Sequence, residues 1–352
     1  MVTIRDVARE LRLSPSTVSQ VLNSTALSRH IPHETKQRIF AAVKRLGYRP
    51  NPFARYLRSS RSATVAVLLS DITDPYCAAV LKGIESSLSS SDYIPVLLDI
   101  QNSRTKFRRD VQKLMDRRID GIISVANSLL LQTELLITIK KHKIPIVLIG
   151  RETEGTEISS VCINNEAGAK LAMKHLHGLG HRAIAFLKGP KDIVDSAHRW
   201  EGIVRFAGEA GMILDPKLIV QLPQPGSSYE TGFEAVRELL RRKRQFTALL
   251  AFDDLAAFGA VRALAQAGKN VPKDCSVVGF DDVPAAAFYN PPLTTIRQPM
   301  ETLGIVATEL FLDLVGAFFG KTEFAPVHRK INPKLVIRDS TTRLRSRLLD
   351  KT

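Results

Sequence analysis

Ser16, Gln20 and Asn23 recur at i, i+4 and i+7, a spacing that lines up short hydrogen-bonding side chains on one face of a helix. Such a face can donate to and accept from groups outside the protein, and Gln20 can pair bidentately with an adenine edge in a major groove. A second set of polar residues follows the ends of apolar runs: Asp71 and Asp74, Arg151, Asp253 and Asp254, Asp281 and Asp282. Polar side chains so placed are candidates for a ligand site beyond the strand ends.

The first set needs a short helix held against a small core. Ser14 reads as an N-cap, Pro15 suits the first helical position, and Val18, Val21 and Leu22 form the buried stripe. Upstream, Thr3-Ile-Arg-Asp6 reads as a capping box ahead of the stripe Ile4, Val7, Ala8 and Leu11. Two short helices separated by Arg12–Ser14 make a helix-turn-helix, a unit whose second helix can enter a DNA major groove. A third helix is expected over Pro32–Leu46, closed by Gly47, and a two-turn helix over Pro52–Arg58, too short to stand without a partner.

The second set needs strands. Val65–Leu69, Val96–Ile100, Gly121–Val125 and Pro145–Ile149 are apolar runs, with helices expected at Pro75–Ser90, Thr105–Arg118 and Leu129–His142. A second series has strands at Ala183–Leu187, Leu218–Leu222, Ala248–Phe252 and Ser276–Phe280. Its helices are expected at Asn165–Leu179, His198–Gly211, Tyr229–Arg241 and Leu255–Gly268. Residues 294–298 are expected to cross back and Met300–Phe319 to form a helix of the first series. Buried strands alternating with helices predict parallel sheets covered on both faces, and two series predict two similar α/β subdomains. Ligands of such sheets sit beyond the carboxyl ends of the strands, so a cleft between the subdomains is the expected site.

Bulk properties agree. The chain has 352 residues, 44% hydrophobic and 24% charged, enough for more than one domain. Its net charge of +15 is uneven: residues 1–61 carry twelve Lys or Arg against Asp6, Glu10 and Glu34, a net of +9. That is the footprint of a phosphate-contacting module. Three widely spaced cysteines argue against a disulfide framework or a zinc site. The start has no apolar leader and no run approaches the roughly 20 residues of a membrane span, so a cytoplasmic protein with no membrane partner is expected, which DNA binding would associate with the nucleoid. No nucleophile motif, phosphate loop or metal cluster is present, so neither an enzyme nor a cofactor is expected.

Thr3-Ile-Arg-Asp-Val-Ala, Ser14 through Asn23, Leu46-Gly-Tyr-Arg-Pro-Asn51, Gly180-His-Arg182, Arg199-Trp-Glu-Gly202, Asp253-Asp254, Ser276-Val-Val-Gly-Phe-Asp281 and Pro292-Leu-Thr-Thr-Ile-Arg-Gln298 occur in this order. Over essentially its whole length the chain resembles bacterial transcription regulators of the lactose/galactose-repressor (LacI/GalR) type. The resemblance implies a helix-turn-helix head at 1–48, a linker with a hinge helix at 49–62, and an effector-binding and dimerisation domain at 63–340. Its N-subdomain would span 63–160 and 299–325 and its C-subdomain 163–293 and 326–340, both like periplasmic binding proteins, with a basic tail at 341–352.

It further implies a homodimeric repressor of a pseudo-palindromic operator. Pro15, Ser16 and Gln20 match the base-reading positions, and Thr17 touches base or phosphate. Thr3, Asn23 and Tyr48 match positioning or structural residues, Asn51 is a further DNA-binding position, and Ala54 and Leu57 match the minor-groove wedge. Arg199 and Asp281 match the family's ligand-gripping pair, while Tyr76, Asp195, Asp253 and Gln298 match more variable pocket positions. Ser227 stands where relatives often stack an aromatic, with Trp200 or Tyr229 as substitutes. That departure favours a polyol or sugar acid over a flat-faced effector, and Asp195, Asp253 and Asp281 together favour a neutral sugar over an anion. The alternatives are a constitutive or partner-gated DNA-binding protein with a vestigial cleft, and an enzyme carrying a DNA-binding head.

Overall fold

A computed structural model describes residues 2–23, 26–48, 61–101, 103–125, 144–153, 156–223 and 228–344. The chain divides into two compact units, Met1–Ser62 and Ala63–Thr352. The expected hinge helix at Pro52–Arg58, the helix Leu129–His142 and the end of the basic tail lie outside the described residues, as do Asn51, Ala54, Leu57 and Ser227.

The head holds α1 (Ile4–Leu11), α2 (Pro15–Leu22) and α3 (His33–Leu46), with a 3₁₀ turn over Ala26–His30. Val7, Ala8, Val18, Val21, Ile39 and Ala42 are buried in one small core. Asp6 accepts from the Thr3 amide (2.9 Å) and hydroxyl (2.7 Å), and Ser14 Oγ accepts from the Thr17 amide at 3.0 Å. Arg12 (φ 56°) and Gly47 (φ 64°) end α1 and α3 in the left-handed conformation. For Gly47 this is free of strain, because it has no Cβ.

The second unit contains two six-stranded sheets. The first runs β2 (Ile94–Asp99), β1 (Thr64–Leu69), β3 (Gly121–Val125), β4 (Ile146–Ile149), β5 (Ser159–Ile163) and β11 (His328–Ile331), all parallel. The second runs β7 (Ile219–Gln221), β6 (Ile184–Lys188), β8 (Ala248–Leu250), β9 (Ser276–Asp281), β10 (Thr294–Arg297) and β12 (Lys334–Val336), of which only β12 is antiparallel. Val65–Leu69 is buried without a break because helices cover both faces of the sheet. Those helices are α4 (Pro75–Leu88), α5 (Arg104–Asp116), α6 (Asn165–Gly178), α7 (Val194–Glu209), α8 (Tyr229–Arg241), α9 (Asp254–Gln266) and α10 (Met300–Gly320).

Three differences from the sequence-based expectations matter. Residues 294–297 form the strand β10, so the return crossing is confined to the residues just before Met300. The last crossing falls between β11 and β12, not at 325/326: His328–Ile331 pairs with β5 in the first sheet. His-Arg-Lys-Ile is an edge strand with no apolar run to announce it. Helix α10 is long and apolar enough to cross a membrane, with a mean hydropathy of 1.7, contrary to the expectation of no such segment. Leu303, Gly304, Ala307, Thr308 and Phe311 are buried on the face that packs on α4 and the first sheet.

Helix pairs on the same layer meet through glycine. A Cβ on Gly83 of α4 would overlap the Glu301 carbonyl, and one on Gly304 of α10 the Val80 carbonyl. The second subdomain repeats the device with Gly232 of α8 against Ala256 and Gly259 of α9 against Tyr229.

Candidate functional site

Within the second unit, a cavity of about 430 Å³ lies beyond the carboxyl ends of both sheets. Asp71 and Asp74, after β1, line one wall; Asp195, Arg199, Asp253 and Asp281 line the other, with Gln298 from the crossing segment. Tyr76, Tyr229 and Phe252 supply aromatic surface.

Local chemistry aims each carboxylate. Asp74 caps α4, its Oδ1 accepting from the Tyr76 amide at 2.9 Å, and Asp253 caps α9, accepting from the Ala256 amide at 2.8 Å. Helix N-termini favour both charges. Asp71 Oδ1 accepts from the Thr73 amide (2.8 Å) and hydroxyl (2.6 Å). Asp281 ends β9 with φ 121° and is followed by Asp282 at φ 59°. Two consecutive non-glycine residues at positive φ are costly, and their neighbours hold them there. Gln298 Nε2 donates to Asp281 Oδ1, while Arg338 and Arg297 donate to Asp282.

Arg199 is the centre of a buried network. Its Nε donates to Asn165 Oδ1 (2.9 Å), Asn165 Nδ2 donates to Asp195 Oδ1 (2.9 Å), and its Nη1 donates to the Phe252 carbonyl (2.6 Å). The guanidinium carbon lies 3.7 Å from the Phe280 ring centroid and 4.6 Å from that of Phe252, a cation–π arrangement. Its Nη2 reaches Asp281 Oδ1 at 3.7 Å. Arg199 and Asp195 are each 7% exposed, Gln298 6% and Asp253 9%. Burial raises the Asp281 carboxyl well above the carboxylate range; Arg199 pulls it down, while Asp253, Asp254 and Asp74 push it up. Asp74 is raised to about 6, first by burial, against the Tyr76 amide and with Asp253 and Asp71 adding to the rise.

The sign of the Asp74 shift gives a test. A carboxyl whose folded value exceeds its unfolded one destabilises the fold when ionised, so its penalty is absent below about 4, grows as pH rises, and is complete above about 6. Asp74→Asn, which keeps the cap, is expected to gain about 2 kcal/mol over the parent at pH 7.5 and nothing at pH 4. Urea unfolding at the two pH values checks this; an equal effect at both would contradict it.

The cavity thus brings together Tyr76, Asp195, Arg199, Asp253, Asp281 and Gln298 of the sequence-derived set. Trp200 instead faces the core, edge-on to Phe186 at 5.7 Å with Lys188 Nζ 4.8 Å from its ring. Tyr229 lines the cavity, as does Ser228, which caps α8. Helix α7 begins at Val194, not His198, which places Asp195 in its first turn, one turn before Arg199. Sequence alone does not single out Asn165, one of two adjacent asparagines at a helix start; Asn164 is the cap, and only the tertiary fold brings Asn165 to Arg199. Asp71 and Asp74 are signalled in the chain only by their place after a strand. Arg151, Asp254 and Asp282, also at strand ends, do not line the cavity. Asp254, raised to about 7 chiefly by burial, accepts from the Thr295 hydroxyl (2.6 Å) and the Val283 amide (2.9 Å). His181 binds Thr247 Oγ1 (2.9 Å) and the Thr342 carbonyl (3.0 Å), which anchors the C-terminal segment.

On the head, Pro15 and Ser16 are exposed and Thr17 and Gln20 half-buried on α2, with Gln20 Nε2 3.4 Å from Ser16 Oγ. Asn23 donates to the Ser19 carbonyl at 2.8 Å, Thr3 is tied to Asp6, and Tyr48 packs on the head core. All three serve the head's own structure.

Residues 3–51 match the family model "Bacterial regulatory proteins, lacI family", and residues 173–341 a "Periplasmic binding protein-like domain". The transcriptional repressor PurR of Photobacterium profundum is 31% identical over 341 residues, 97% of this chain and 98% of that protein. A lac repressor dimer bound to operator and the anti-inducer ONPF superposes with a TM-score of 0.82 at 26% identity, covering 97% of this chain and 99% of the other. The regulator CelR in complex with cellobiose gives 0.71 at 29% identity, covering 97% and 100%. By its head, its two-subdomain body and its likeness to these regulators along nearly its full length, the chain belongs to the LacI family of bacterial regulatory proteins.

Proposed function

We propose that α2 reads a pseudo-palindromic operator in the major groove, and that a small hydroxyl-rich effector binding the cavity between the two subdomains sets operator affinity. The chain is a DNA-binding transcriptional repressor under small-molecule control and acts as a homodimer. The observation that carries the effector assignment is the convergence of the buried side chains Asp195, Arg199, Asp253 and Gln298 on one cavity at the strand ends. A ligand reaching both walls binds the open and closed arrangements unequally, the condition for shifting between them. No bond-making step enters this reading, and it places the protein with the nucleoid, where its operator is.

In the head, Pro15, Ser16 and Gln20 read bases, Thr17 meets base or phosphate, and Thr3, Asn23 and Tyr48 hold the reading helix in place. Asn51, Ala54 and Leu57 extend the contact into the linker and minor groove, as the family resemblance implies. Gln20→Ala is expected to cost about 1–3 kcal/mol of operator affinity and to relax preference at a single base position. Selection from randomised duplexes followed by titration tests it; an unchanged preferred sequence would remove Gln20 from the base-reading set. Operator affinity unmoved by any sugar, amine or nucleoside would instead favour a constitutive or partner-gated regulator.

A further inference from the structure

We propose that the effector is a hydroxyl-rich molecule carrying a protonated amine, an amino sugar in chemical class, seated between Asp71 and Asp74 on one subdomain and Asp195, Asp253 and Asp281 on the other. The inference rests on the effector-site reading above and adds the charge of the ligand to it.

Five aspartates line the cavity against one cation, Arg199; burial favours the neutral form of Asp281, which leaves Asp71, Asp74, Asp195 and Asp253 as the acidic excess. That guanidinium is committed to the protein: Asn165 and the Phe252 carbonyl take two of its nitrogens, the third turns to Asp281, and Phe280 and Phe252 lie against its π face. It is not presented as an open fork for a phosphate or a carboxylate. An anionic ligand would therefore meet an excess of like charge in a desolvated site, whereas a cation would relieve it.

The excess spans the cleft. Asp253 on the second subdomain raises Asp74 on the first, and Asp74 in turn raises Asp281. Asp74 and Asp253 line the cavity from opposite subdomains, and an ammonium between them would offset their like charge. The same contact that gives affinity thus favours closure.

The shape of the site selects the rest of the molecule. Among the described residues no three His, Cys, Asp or Glu side chains converge to hold a metal ion, so the carboxylates suit an extended ligand and not a bare cation. Tyr76, Tyr229 and Phe252 line the same cavity, aromatic surface of the kind that suits the C–H face of a sugar ring or an ammonium, and about 430 Å³ admits one or two rings.

Calorimetry on the full-length chain near neutral pH, with matched pairs, tests the proposal. The pairs are glucosamine with glucose, galactosamine with galactose, and chitosan disaccharide with cellobiose, with a glucose phosphate as the anionic member. A charge-assisted hydrogen bond predicts that the amine of at least one pair binds about tenfold or more tighter than its neutral partner. In Asp74→Asn and Asp253→Asn that ratio is expected to fall towards one. Asparagine caps a helix as well as aspartate does, so both variants keep the local fold; the ratio in the parent chain decides the matter even without them. If in no pair the amine binds more tightly than its neutral partner, or the glucose phosphate binds as tightly as any amine, the charge assignment is overturned and the effector site left standing. A chain that binds operator but no member of the panel overturns both.

Discussion

Replacing Arg199 with alanine is expected to abolish the response to effector and to lower the melting temperature of the body. The side chain fills a buried position where it satisfies the Asn165 side chain and the Phe252 carbonyl and offsets Asp281. Breaking a buried ion pair by removing one partner costs about 3–5 kcal/mol, because the other charge remains. Asp281 can escape part of that penalty by taking up a proton, since burial already favours its neutral form. The expected loss is therefore about 3 kcal/mol, read by urea unfolding. Effector affinity should also fall, because Asn165, Asp195 and Asp281 lose the group that positions them at the cavity. Lysine should not rescue, because an ammonium cannot serve Asn165 and the Phe252 carbonyl in one fork. Operator binding by the ligand-free variant is expected to persist, and a variant as stable and as responsive as the parent would remove Arg199 from the site.

The largest effect on folding should come from one helix carrying two glycines of opposite consequence. In α10, a Cβ on Gly304 would overlap the Val80 carbonyl of α4, a backbone atom that cannot turn aside. Gly304→Ala is expected to cost about 3 kcal/mol, and Gly304→Val more, because overpacking forces the two helices apart. Gly316 of the same helix has nothing within 4 Å of the same position. There alanine should stabilise by about 0.5–1 kcal/mol through the lost freedom of the unfolded chain. Gly259→Ala in α9 should behave like Gly304→Ala, since its Cβ would overlap the Tyr229 carbonyl. Equal melting temperatures for Gly304→Ala and Gly316→Ala would show that the α4–α10 contact does not set the stability of this subdomain.

Much of this architecture is legible in the chain alone, and the reason is local. The capping pattern at Thr3–Asp6, the proline after Ser14 and the stripe Val18, Val21, Leu22 act within a few residues of one another, and the head follows from them. Val65–Leu69 and Gly121–Val125 announce themselves as strands because both their faces are covered and almost no polar residue interrupts them. Asp71, Asp74, Asp253 and Asp281 could be picked out because open parallel sheets bind beyond their strand ends; Asp195 and Arg199, inside a helix, are marked only by the family resemblance.

What the sequence determined by itself is therefore most of the elements and the ends at which a ligand would sit; β5, β10, β11 and β12 are not announced by the chain alone. Tertiary structure decided which polar residues meet. Asp253 and Asp254 are adjacent, yet one lines the cavity and the other is spent on Thr295 and Val283, because the first turn of α9 carries their side chains in different directions. Trp200 adjoins Arg199 but lies on the core side of α7. Asn165 reaches Arg199 across 34 residues, and β11 joins β5 from 168 residues away. Contacts of that range leave no periodicity in the chain; they exist only once packing has chosen which faces are covered.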